Sequence, residues 1–93
     1  MAILSFSLLA TANPSFVIEF RTDRAGMDYN RFTVNSMEEC LNACQRDSQC
    51  QAFTYVSPGY QPPDLNNQSP ICWLKDGVPS AARRTGMISG VRQ

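Results

Sequence analysis

Apolar and polar residues alternate over short runs along most of this chain, and one stretch changes to a helical spacing. Phe16-Val-Ile-Glu-Phe20 is rich in β-formers and predicts a strand. Thr22 to Asn30 holds Asp, Gly and Asn and reads as a turn region, and Arg31 to Val34 predicts a second short strand. Ser36 followed by Glu39 forms an S-x-x-E capping box, so a helix is expected to start there and to fade near Asp47 to Gln49. Met37, Cys40, Leu41 and Cys44 share one face of that helix, and Glu38 and Glu39 place negative charge at its positive end. Gln51 to Val56 alternates again, with Ala52, Thr54 and Val56 on one side and Phe53 and Tyr55 on the other, and predicts a central strand. Ser57 to Pro70 is a long Pro- and Asn-bearing loop. Ile71 to Lys75 predicts a strand stopped by Asp76-Gly77, Val78 to Gly86 a second loop, and Met87 to Val91 a last strand. One helix among about five short strands is an α+β pattern, with an antiparallel β-sheet cradling one α-helix, because the connections without a helix are too short for parallel crossovers.

Four cysteines in 93 residues change the picture from a small core to a covalently supported one. Cys40, Cys44, Cys50 and Cys72 stand three, five and twenty-one residues apart, without the tight C-x2-C knuckle of structural zinc, and the chain has no histidine. Two disulfides and an oxidising compartment (secreted, extracellular or periplasmic) are the expectation. Cys40 and Cys44 lie side by side on one helical turn, a poor geometry for bonding to each other. Cys50 follows the helix where the chain turns back, and meets the turn of Cys44 first; Cys40 is left for Cys72. Loop-closure entropy assigns ~3.7 kcal/mol to a Cys40–Cys72 bridge and ~2.4 kcal/mol to a Cys44–Cys50 bridge.

Hydrophobic residues make up 43% of the chain and charged ones 17%, which excludes a disordered chain. Eight basic residues balance eight acidic ones, so nucleic acid and anionic membranes have no electrostatic claim as partners. Arg83, Arg84 and Arg92 form an acid-free tail, expected to be solvated. Residues 1–12, MAILSFSLLATA, are too short to span a bilayer. They read as the remnant of a signal peptide cleaved before Asn13, or as an N-terminal strand, leaving 13–93 as one domain.

The run Glu39-Cys40-x3-Cys44-x5-Cys50-x-Ala52-Phe53-Thr54-Tyr55, then Cys72-Trp73-Leu74-Lys75, then Ser89-Gly90-Val91, resembles the PAN/apple domain family, especially its short bacterial type. Gly26-Met-Asp28-Tyr29 is similar to that family's G-x-D-Y turn, and the resemblance covers Phe16 to Val91. It implies an antiparallel sheet around one helix, the same nested disulfides, and a non-catalytic module that binds protein or carbohydrate. The further disulfide that ties the chain ends in plasma apple domains has no counterpart here.

Catalytic chemistry finds little support. Without histidine, Ser-His and Cys-His nucleophile pairs are excluded, and no phosphate-binding glycine loop is present. Asp23 and Asp28 bracket a turn but lack the D-x-D-x-D-G pattern of a calcium loop, so no cofactor or metal is expected. Asn67-Gln68-Ser69 is a glycosylation sequon, followed by an unfavourable Pro70. Phe53 is expected in the core. Tyr60, in the Pro-rich loop, and Tyr29 are candidate ligand contacts. Trp73 is a candidate for sugar stacking set against a core role, and Lys75, the only lysine, for an acidic group on a partner set against a solvated strand end. The function expected is extracytoplasmic recognition of protein or carbohydrate through loops on a rigid frame. The alternative is a self-assembling homo-oligomer or filament subunit, whose apolar N-terminal segment adds to a neighbour's sheet edge.

Overall fold

The computed structural model describes residues 15–93; the expected signal remnant or strand at 1–12 lies outside that range. The described chain forms β1 (Phe16–Asp23), β2 (Asp28–Thr33), α1 (Met37–Gln45), β3 (Ala52–Val56), β4 (Ile71–Lys75) and β5 (Ala82–Arg92). The strands make one sheet in the order β1-β5-β3-β4-β2, with every neighbouring pair antiparallel. This is the expected α+β architecture, with α1 laid on one face.

Ser36 caps α1 by accepting the Glu39 backbone N–H at 3.2 Å. The Glu39 carboxylate reaches back to the amide of Asn35, one residue earlier than a reciprocal capping box would have it. The buried face of α1 is Cys40 and Cys44. Cys40 bonds to Cys72 on β4, and Cys44 bonds to Cys50 just past the helix, as the spacing predicts. Around these bridges lie Phe53, Leu74 and Val34, with Phe16, Ile18 and Leu41 partly buried against them. Phe53 is fully buried. A Cβ at Gly90, its β5 neighbour, would run into the Phe53 ring, so glycine there is what lets the ring lie flat on the sheet.

Two strands differ from expectation. β2 begins at Asp28, inside the stretch that reads as a turn, because a bulge between Asp28 and Asn30 accommodates polar residues without ending the pairing with β4. β5 begins at Ala82 rather than Met87: its exposed first half pairs with the end of β1, Asp23 with Ala82 and Thr22 with Arg83. Exposure and polar composition hide such a strand from a hydrophobic pattern.

The alternation in β3 is as expected, yet both of its sides are buried. Phe53 and Tyr55 lie under α1. Thr54 and Val56 lie under the 57–70 loop and the 23–28 turn, which roof the face that carries no helix among the described residues.

Candidate functional site on the helix-free face

Register fixes which side chains share the helix-free face. Trp73 stands between Thr54 on β3 and Arg31 on β2, and Lys75 between Ala52 and Asp28. Ser89 and Met87 of β5 complete the surface opposite Thr54 and Val56. A cavity of about 250 Å³ opens there, lined by Asp23, Asp28, Thr54, Gln61, Trp73 and Lys75 among others.

The polar groups of this face are held in place. Ser89 Oγ donates to the Thr22 carbonyl at 2.9 Å, which leaves the Thr54 hydroxyl to donate to Ser89 at 2.8 Å. Trp73 Nε1 donates to Gln61 Oε1 at 2.9 Å, and Gln61 Nε2 donates to the Pro62 carbonyl. Lys75 is only 2% exposed. The expectation of a solvated strand-end lysine is therefore corrected. Lys75 Nζ donates to Asp28 Oδ1 and, at 3.3 Å, to the Gly26 carbonyl. The G-x-D segment thus supplies both acceptors, which explains how a buried ammonium is tolerated. Its third proton has no acceptor among the described residues. The ammonium pairs with one oxygen of Asp28, and among the described residues no group of three acidic or cysteine side chains could hold a metal.

The roof is organised by Asn67. Its Oδ1 accepts the backbone N–H groups of Gly59 and Gln61, each at 3.0 Å, and its Nδ2 donates to the carbonyls of Ser57 and Ser69. Both amide protons of this sequon asparagine are committed to the loop, which ties Gln61 over Trp73.

The four candidate contact residues separate. Trp73 and Lys75 line the cavity together. Tyr60 is 43% exposed, and its ring lies against Gly86 outside the cavity lining. Gly86 has φ +82°, and any Cβ there would strike that ring. Tyr29 lies on the helix side, where its hydroxyl donates to Asp47 Oδ2 at 2.6 Å. Burial, then the Asp47 bond, raises the Tyr29 hydroxyl far above the ordinary tyrosine value. The same bond, aided by the Gln49 amide, lowers the Asp47 carboxyl. Sequence reasoning missed Asp28 as the partner of Lys75, and also Gln61 and Asn67. The G-x-D-Y turn was the available signal for Asp28; nothing in the 57–70 composition marks the other two.

Arg92 also departs from expectation. It is no solvated tail residue: Nε donates to the Cys50 carbonyl at 2.7 Å, and Nη2 to the carbonyls of Cys44 and Asp47 at 2.7 and 3.0 Å. The last turn of α1 has no basic residue of its own, so Arg92 brings the cation its dipole favours from the other end of the chain. Arg83 and Arg84 are exposed.

The family model of the PAN domain matches residues 22–75, more than half of the chain. The chain belongs to the PAN domain family. It is 36% identical over 59 residues to the major microneme antigen of Sarcocystis muris, covering 63% of this chain and 20% of that protein. It is 38% identical over 56 residues to an uncharacterized protein of Acanthamoeba polyphaga mimivirus, covering 60% of this chain and 13% of that protein. The chain thus spans a fifth or less of the length of these curated relatives. Among the described residues no helix is long and apolar enough to cross a membrane.

Proposed function

We propose that this PAN domain is a non-catalytic extracellular recognition module and that it binds carbohydrate in the cavity of the helix-free face. The observation that carries this reading is Lys75 at the cavity floor, buried, fixed by Asp28 and Gly26, with one proton uncommitted. Beside it the part-buried Asp28 carboxylate offers acceptor capacity that one ammonium does not exhaust. An adjacent donor and acceptor, with the apolar Trp73 ring next to them, suit a sugar's vicinal hydroxyls and C–H face. The cavity, about 250 Å³, falls below the roughly 300 Å³ at which pockets for drug-sized ligands begin, so a single ring is the unit that fits. Two buried disulfides support an oxidising location, and the name of one relative, a microneme antigen, is in keeping with it.

A printed glycan array tests the proposal. Wild-type protein should bind a subset of glycans, and Lys75→Met and Asp28→Asn should each lose that signal while keeping a folded spectrum. A blank array, or a Lys75→Met variant that binds as well as wild type, would defeat the reading.

Self-assembly remains the competing function. Among the described residues β1 and β2 are the edge strands of the sheet, which an apolar segment such as 1–12 could extend. A monomer by size-exclusion chromatography, with residues 1–12 intact by mass spectrometry, counts against it.

A further inference from the structure

The cavity has a neighbour. Past Trp73, along the same face, a second concavity of about 220 Å³ is lined by Arg31, Phe32, Thr33 and Ile71. The register places Arg31 opposite Trp73 and Thr33 opposite Ile71, so the two hollows follow β4 in succession, from Lys75 to Ile71. Trp73 lines the first hollow and Arg31 the second. Arg31 lies over the Trp73 ring, with Cζ 5.2 Å from the centroid. The stacking orients the guanidinium but uses none of its N–H groups. Arg31 is exposed, and among the described residues no carbonyl or carboxylate accepts from its guanidinium. Asp28, the carboxylate nearest to it along β2, pairs with Lys75 and not with Arg31.

The two ends therefore differ in charge. The Lys75 end includes Asp23 and Asp28 and suits a neutral ring. The Arg31 end presents a cation with five uncommitted donors. Two residues along β4 separate Lys75 from Trp73, roughly 7 Å at strand spacing. That is the reach from one sugar ring to a substituent or to the next ring.

We propose that the ligand is an acidic glycan: a neutral sugar unit in the Lys75 cavity, and a sulfate or carboxylate on that unit or the next, held by Arg31. This rests on the carbohydrate reading above and adds the charge of the ligand and the residue that selects it. A planar fork of donors matches either anion, and sulfate and carboxylate share that recognition chemistry.

The test uses the full chain and glycans in matched sets: a neutral parent, its sulfated form, and its uronic-acid form. Titration calorimetry on each set should show at least one anionic member bound about tenfold more tightly than its parent. Which member gains identifies the anion. Arg31→Gln should remove the preference for the anionic member over its neutral parent. Arg31→Lys should keep part of it, since charge remains while the fork is lost. Added salt should narrow the preference without weakening the parent. Equal affinity across a set, or a preference that survives Arg31→Gln, overturns the assignment while the carbohydrate reading stands. Failure to bind any member overturns both.

Discussion

On the helix side of the sheet, Phe53 and two disulfides exclude water, and the strands are bolted to α1 by bonds that need no partner outside the chain. On the other side the same strands present Thr54, Trp73 and Lys75, each fixed by a hydrogen bond or an ion pair and each lining a cavity. β4 shows the division within five residues: Cys72 and Leu74 point to the core, Trp73 and Lys75 to the cavity. The period-2 geometry of a strand lets one segment carry both tasks without compromise. A covalently held face frees its opposite from the need to be apolar. Burying a lysine costs stability in a 93-residue domain, and the disulfides offset that cost through the unfolded chain.

The largest effect should come from the bridge between helix and sheet. Cys40→Ala with Cys72→Ala is expected to lower stability by ~3–4 kcal/mol in chemical denaturation. Cys44→Ala with Cys50→Ala, which opens a much shorter loop, should cost less, ~2–2.5 kcal/mol. Whatever fraction stays folded should keep its glycan preference, because neither bridge touches the cavity lining. The reverse order of the two double variants would show that the 40–72 bridge is not the main fastener. Arg92→Met comes next. It leaves three carbonyls around the end of α1 without their charged donor, at about 2 kcal/mol, again with the ligand preference intact.

Asn67→Ala probes the other face. Four hydrogen bonds within one loop disappear, but much of the loop is exposed and water replaces some of them, so about 1–2 kcal/mol is expected. The functional effect should be larger than the stability effect: with the roof untied, Gln61 no longer holds Trp73, and glycan binding should fall. Denaturation and array binding measured on the same preparation separate the two. A variant that binds normally would remove Asn67 from the site.

The helix side was legible in the sequence because its logic is local or covalent. The S-x-x-E cap, the 3.6-residue spacing of Cys40 and Cys44, and the alternation around Phe53 each act over a few residues, and the disulfides follow from which turns lie close. The helix-free face was legible only in part. Trp73 and Lys75 stood out by residue type, but the fate of Lys75 depended on Asp28, 47 positions earlier, and sequence alone does not pair them. Arg92 illustrates the same limit: its carbonyl partners lie 42 to 48 positions away and carry no side-chain code. The missed half of β5 failed for another reason, since a two-stranded exposed extension buries too little to leave an apolar pattern.

The smallest effect, and the one that isolates a single hydrogen bond on the helix side, concerns Tyr29 and Asp47. The bond lowers the Asp47 carboxyl and, together with burial, raises the Tyr29 hydroxyl. Lowering an acid's pKa on folding gives stability that is present above the unfolded carboxylate value, about 4, and is lost as pH falls through the folded value. Raising the phenol's gives stability that is present below about pH 10 and is lost as pH rises from there towards the folded value. Wild type minus Tyr29→Phe should therefore trace a plateau between those limits, closing at both ends. The Gln49 amide lowers Asp47 in both proteins, so its share of the shift cancels and the acid end reports the Tyr29 bond alone. Glu19, lowered by its hydrogen bond to Arg24, titrates alike in both proteins and cancels. Denaturation midpoints from pH 2 to 11 measure the curve. If the difference stays flat through the acid end, Tyr29 does not hold Asp47. If Tyr29→Phe instead alters glycan binding at constant pH, the separation of the two faces argued from β4 fails, because a helix-side residue would then reach the cavity.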